Sequence, residues 1–183
     1  MMIRTIVAVT LILITETSMT TLTQAADSLA IGAKAPDFSL PYATKDSIGK
    51  EHLTLSKEVG KGPIVLAFYP ADWSGGCTVE VCTFRDNFAD LGKLGVRVWG
   101  ISGDYAYSHH EWAKHHNLPF ELLADHDHTV AKAYDSYAPE HLYNKRTIYV
   151  IGSDGLIAYV NSQYKAREPQ DFEALKTALA KVR

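Results

Sequence analysis

The chain has 183 residues, with 18 Lys and Arg against 21 Asp and Glu and a formal charge of −3. That length suits one domain with a proper core. The weakly acidic balance offers no basis for nucleic-acid binding, and neither repeats nor an internal low-complexity tract breaks the chain.

The N-terminus reads as a targeting segment rather than part of the fold. Met1–Arg4 is a short positive head, Ile6–Ile14 is an apolar run, and Thr23-Gln24-Ala25 ends on a small residue. This is the pattern of a secretory signal peptide, with cleavage expected after Ala25. The run falls short of the roughly 20 apolar residues that a spanning helix needs. No cysteine lies near the junction, which excludes a lipid-modified cysteine. Residues 26–183 are then the mature domain, exported and free of the membrane after cleavage: periplasmic in a Gram-negative cell, secreted otherwise.

Residues 26–62 read as an irregular entry with short strands at Asp37–Leu40 and His52–Leu55. Ile64–Tyr69 is a continuous apolar run that suits a central strand covered on both faces, and Pro70 ends it. Cys77, Val81, Phe84, Phe88 and Leu91 follow at spacings of four, three, four and three, one apolar stripe of a helix closed by Gly92 and Gly95. Val96–Ser102 is the next strand. Ser108-His109-His110-Glu111 has the form of a capping box, predicting a helix from there to about His116. Phe120–Leu123 reads as a short strand and Thr129–Tyr134 as a short helix. Thr147–Ile151 and Leu156–Val160 flank Gly152-Ser153-Asp154-Gly155, a hairpin signature. A last helix starts at Pro169 and buries Phe172, Leu175, Leu179 and Val182. The order β-α-β-α-β-α-β-β-α predicts an α/β fold, a mixed central sheet with helices on both faces. In such sheets the reactive site lies at the carboxyl ends of the strands, where Pro70–Cys77 falls.

Both cysteines, Cys77 and Cys82, lie in this segment, five positions apart. A thiol at a strand-to-helix junction sits among free backbone N–H groups at the positive end of a helix dipole. That favours the thiolate, the reactive form of sulfur, so the first reading is redox or nucleophilic chemistry at Cys77. The alternative is a structural disulfide, common in exported chains. On an ideal helix, Cα atoms five residues apart are about 8.6 Å from each other, beyond the roughly 7 Å that a disulfide tolerates. Bonding the two requires the helix start to unwind, which suits a reaction intermediate better than a staple.

These residues resemble a peroxiredoxin. The family pattern Pro-x-x-x-Thr/Ser-x-x-Cys reads here Pro70-Ala71-Asp72-Trp73-Ser74-Gly75-Gly76-Cys77. The second cysteine five residues on is similar to the peroxiredoxin Q, or bacterioferritin comigratory protein, subgroup. So are Glu80, Phe84-Arg85-Asp86-Asn87-Phe88, Ile101-Ser102-Gly103-Asp104, Asn117-Leu118-Pro119-Phe120, Leu122-Leu123-Ala124-Asp125 and Arg146-Thr147, over roughly residues 31–180. Two departures stand out: Gly75 replaces the usual Pro, and Ser74 keeps the hydroxyl of Thr without its methyl. The two glycines before the thiol are read as loosening the loop.

The resemblance implies a thioredoxin-like fold and a peroxidase acting on hydrogen peroxide and organic hydroperoxides. It makes Cys77 the nucleophile, which passes through a sulfenic acid. Cys82 is the partner that condenses with it to an intramolecular disulfide. Arg146 steadies the thiolate and the leaving oxygen, Ser74 orients the peroxide, Pro70 shields the sulfur from water, and Glu80 supports the arginine. The implied partner is a thioredoxin-like dithiol reductant, the implied state a monomer, and no cofactor is called for. A thiol-disulfide oxidoreductase of the thioredoxin type uses Cys-x-x-Cys, and a copper-delivery protein on the same fold uses Cys-x-x-x-Cys with a distal His. The spacing disfavours both. Trp73 is read as a packing residue. His109, His110, His115, His116, His126 and His128 do not place three or four ligands on one face, so no metal site is expected.

Overall fold

A computed structural model describes residues 29–182; the segment read as a signal peptide lies outside them. The elements are β1 (Ser39–Leu40), β2 (Tyr42–Ala43), β3 (Leu53–Thr54), α1 (Leu55–Glu58), β4 (Ile64–Phe68), α2 (Gly75–Asp86), α3 (Phe88–Lys93), β5 (Arg97–Ser102), α4 (Ala106–His116), β6 (Glu121–Ala124), α5 (Thr129–Ala133), β7 (Tyr137–Ala138), β8 (Tyr143–Asn144), β9 (Thr147–Ile151), β10 (Ile157–Asn161) and α6 (Pro169–Leu179). Six strands form one mixed sheet in the order β10-β9-β4-β5-β6-β2. β4, β5 and β6 run parallel, while β9 and β10 are antiparallel additions on one side and β2 on the other.

Every residue of β4 is buried because both faces of the sheet are covered. Val65, Ala67 and Tyr69 point to one core, with Val81 and Phe84 of α2, Trp112 of α4 and Phe172 and Leu175 of α6. Ile64, Leu66 and Phe68 point to the other, with Leu55 of α1 and Val130, Ala131 and Tyr134 around α5. The alternation is the two-residue period of a strand. Full burial of Phe84 alone stabilises by about 1.5–3 kcal/mol.

The hairpin turns on Gly155, whose φ of +81° lies in the left-handed region that glycine reaches without strain. Its N–H bonds the Gly152 carbonyl at 2.9 Å. α4 ends at Asn117, also left-handed (φ +51°), with the Leu118 N–H returning to Ala113 O at 2.8 Å.

Three expectations change. The single helix read from Cys77 to Leu91 is two, broken at Asn87. The Asn87 side-chain amide donates to Thr83 O at 2.9 Å and competes with the helical backbone. The capping box at Ser108–Glu111 is not one: α4 begins at Ala106 after Tyr105, and no side chain caps it. Ser108 instead turns its hydroxyl to a buried acid on another element, a tertiary partner that outcompetes the local cap. The short strand read through Leu55 stops at Thr54, because Leu55 turns into α1 and buries its side chain.

Candidate active site

β4 delivers the chain to the sheet's carboxyl edge, and after six intervening residues it enters α2. Cys77 is the third residue of that helix and fully buried. Ser74 is the residue before the helix; its carbonyl accepts the Thr78 N–H at 2.9 Å, and its hydroxyl donates to Ala71 O at 3.1 Å rather than capping. Its lone pairs remain for another donor. Pro70 is half-buried just past β4.

Arg146 lies one residue before the neighbouring strand β9, whose Thr147 pairs with Phe68 at the end of β4. Its Nη2 donates to the Cys77 sulfur at 3.4 Å, and its Nη1 donates to Glu80 Oε2. One planar guanidinium thus joins a thiol and a carboxylate on successive turns of α2, which a point-charge lysine does not reproduce. Gly76 makes room for it: a Cβ there would sit 3.1 Å from Arg146 Nη2. One of the two glycines read as loosening the loop therefore has a steric task.

Glu80 is completely buried, and burial pushes its carboxyl from 4.5 up to about 7, against the pull of Arg146. Its Oε1 has no hydrogen-bond partner among the described residues. Arg146 is held above its ordinary value: burial works against its charge, but Glu80 and Cys77 outweigh it.

Cys82 lies in the same helix, and both cysteines are free. Its sulfur is 3.9 Å from His116 Nδ1 at the end of α4. Burial pushes the Cys82 thiol up, with Asp86 adding to it and Arg85 opposing. Burial lowers His116, as do the nearby His115 and Arg85. The two groups therefore rest as neutral thiol and neutral imidazole.

Trp73, read as a packing residue, is 53% exposed with φ +62°, an outlier for a bulky side chain. Its ring leans on His115 and His116, with centroids 5.5 and 6.4 Å away. Sequence reasoning also missed Asp72 and His109. Asp72 is buried and accepts hydrogen bonds from Tyr69 (2.8 Å) and Ser108 (2.7 Å), and its Oδ2 shares a hydrogen bond with His109 Nδ1 (2.9 Å). An acid two residues past the strand-ending proline was the available signal, but nothing in the sequence pairs it with α4. Among the described residues, no group of three or more His, Cys, Asp or Glu is arranged to hold a metal ion.

The AhpC/TSA family profile matches residues 31–160, which contain the whole of this site. The chain belongs to the AhpC/TSA family. Within the family it is similar to the chloroplastic peroxiredoxin Q of Triticum aestivum, 42% identical over 138 residues, which are 73% of this chain and 60% of that protein. It is likewise similar to a putative peroxiredoxin bcp of Coxiella burnetii, 40% identical over 139 residues, which are 73% of this chain and 88% of that one. The chain thus spans about 60% of the length of its wheat and rice relatives. Among solved structures it matches the peroxidoxin BcpB of Mycobacterium tuberculosis, with TM-score 0.73 and 28% identity over 85% of this chain and 99% of that one. The reduced 2-Cys peroxiredoxin of Plasmodium vivax matches with TM-score 0.72 and 25% identity, covering 82% and 94%. The thioredoxin-like α/β fold expected of an AhpC/TSA protein is the fold observed.

Proposed function

We propose that this chain is a thiol peroxidase of the peroxiredoxin Q type. The observation that carries the reading is Arg146 Nη2 at 3.4 Å from a buried sulfur in the first turn of α2. A cation and a helix N-terminus together stabilise a thiolate and then the oxygen that leaves it. The Cys77 thiolate attacks one peroxide oxygen; the O–O bond breaks, and the other oxygen departs, after protonation, as water or an alcohol. The sulfur becomes a sulfenic acid. Ser74 orients the peroxide, Pro70 keeps water from the sulfur, and Glu80 fixes the guanidinium plane.

Cys82 then attacks the sulfenic sulfur, expelling water and forming the Cys77–Cys82 disulfide. Both cysteines sit in one continuous helix, so the first turns of α2 must open for this step. Two electrons from a thioredoxin-like dithiol restore the thiols. Hydrogen peroxide and small organic hydroperoxides are the substrate class. The working form is a monomer, exported by the signal read in residues 1–25. N-terminal sequencing of the protein from the expressing cell and light scattering test those two points.

The central test mixes reduced protein with a slight excess of hydrogen peroxide and follows thiol loss. Loss within seconds, abolished in Cys77→Ser, is expected. Retention of more than a few per cent of the rate in Cys77→Ser, about the residual expected when a nucleophile is lost, would overturn the assignment.

A further inference from the structure

The loop Pro70–Ser74 ends three residues before Cys77. Its apolar anchoring is thin: Pro70 and Ala71 are half-buried, and Trp73 is exposed with strained backbone. What it buries is a carboxylate. The Asp72 side chain has no solvent exposure, and neither has His109. Tyr69, Ser108 and His109 all bond this carboxylate, from the end of β4 and from α4. The Asp72 N–H donates to Asp104 Oδ2 at 2.8 Å, and the Ser102 hydroxyl donates to the same oxygen at 2.8 Å. The loop is thereby tied to the end of β5 as well.

His109 closes the set. Its Nε2 faces the Leu123 carbonyl of β6 at 3.1 Å, and a carbonyl only accepts, so Nε2 carries a proton. Its Nδ1 faces Asp72 Oδ2 at 2.9 Å, so a second proton lies between them. The pair is internally neutral whichever side holds that proton, and it leaves no buried charge uncompensated.

The other end of the loop has no comparable stiffening. Gly75 and Gly76 open α2, and glycine surrenders the most backbone freedom on ordering. Gly76 must stay small to admit Arg146. Arg146 and the core hold the Cys77 turn from the helix side, and the Asp72 network holds it from the loop side. We propose that Asp72 and His109 are positioning residues that hold the Cys77 loop in its peroxide-reactive geometry. Their strength sets the balance between peroxide attack, which needs the first turn of α2 in place, and disulfide formation with Cys82, which needs it released. The proposal rests on the reading of Cys77 as the attacking sulfur.

Weakening the pair therefore moves the two steps in opposite directions, which a general loss of stability does not do. Asp72→Ala removes the shared acceptor. Asp72→Asn keeps it in part: Asn Oδ1 accepts from Tyr69, and its amide donates to a neutral His109 Nδ1. Stopped-flow mixing with hydrogen peroxide separates the steps. Asp72→Ala should slow attack about tenfold or more, the scale of a small misplacement of reacting atoms. Disulfide formation should be faster, and less protein should reach the sulfinic state at a given peroxide excess. Asp72→Asn should stay within about threefold of the parent on both steps, a loss under about 0.7 kcal/mol. Ser108→Ala, which deletes one donor from α4 and leaves the loop sequence intact, should move both rates in the same directions as Asp72→Ala by less. It also tests the pair if Asp72→Ala fails to fold by circular dichroism. Hydrogen exchange should show lost protection at the Asp72 amide, which bonds Asp104, and at the Thr78 amide, which bonds the Ser74 carbonyl, in the Ala variants, a readout independent of peroxide chemistry. Unchanged attack with unchanged protection, or attack and disulfide formation slowed together, overturns the proposal. Peroxidase activity surviving Cys77→Ser overturns the parent reading instead.

Discussion

Replacing Arg146 by Met tests the electrostatics of the site most directly. The guanidinium nitrogen is 3.4 Å from the Cys77 sulfur, and the Arg146 side chain is only 19% exposed. Two unit charges at that distance attract by about 5 kcal/mol at an effective dielectric of ~20. That is a ceiling, because the guanidinium charge is spread over three nitrogens and shared with Glu80. A hydrogen bond to a charged group contributes about 1.5–3 kcal/mol net, which is about tenfold to somewhat over a hundredfold in rate. Arg146→Met should therefore slow peroxide attack by at least about tenfold and move the pH–rate profile to higher pH. Lys should rescue poorly, since one ammonium cannot bond the sulfur and Glu80 in the same fork. The change also strands a fully buried Glu80, so Arg146→Met should be measured again in a Glu80→Gln background, where no acid is orphaned. Thiol loss by stopped flow across pH is the assay. An unchanged rate and pH profile in both backgrounds would remove Arg146 from the site.

Cys82→Ser should react once with peroxide, stall as sulfenic acid and over-oxidise readily, as read by mass spectrometry; a full catalytic cycle in this variant would contradict the resolving role. Oxidation of the parent protein should remove hydrogen-exchange protection from residues 77–82, because the disulfide needs the helix start opened; equal protection in both redox states would rule that opening out. Gly76→Ala should raise helix stability, by up to about 1 kcal/mol from propensity, yet slow peroxide attack severalfold because its Cβ meets Arg146 Nη2 at 3.1 Å; an unaltered attack rate would show the guanidinium has room to spare. Glu80 makes stability depend on pH. Its folded value, about 7, lies above its unfolded 4.5, so the native state binds the proton more tightly and stability falls as pH rises between those values. Urea unfolding at about pH 5 and about pH 8 should therefore show Glu80→Gln gaining on the parent by up to a few kcal/mol, and parallel pH dependence of the two proteins would refute it.

Much of the fold was legible because its central elements carry strong local signals. The unbroken Ile64–Tyr69 run, ended by Pro70, suited a strand covered on both faces. The stripe from Cys77 to Leu91 required a helical face toward a core, and Gly152–Gly155 required a turn. These are statements about periodicity and backbone sterics, which neighbouring residues decide among themselves. The two-residue strand Tyr42–Ala43 and the pair Tyr137–Ala138 with Tyr143–Asn144 went unread because pieces so short have no period. At the site, Cys77 announced itself by its junction, whereas Arg146 and Glu80 were drawn to it by resemblance alone. Their fork needs β9, distant in the chain, to pair beside β4. Asp72 and His109 were invisible in the same way: the local pattern offered Ser108 as a helix cap, and only the packing of α4 against the β4–α2 loop turned Ser108 and His109 toward a buried carboxylate. Sequence neighbours determine which segments become helix or strand. Which buried charge meets which donor depends on chain separations that only tertiary packing closes, because a desolvated carboxylate takes whatever partners the folded chain brings within hydrogen-bond reach.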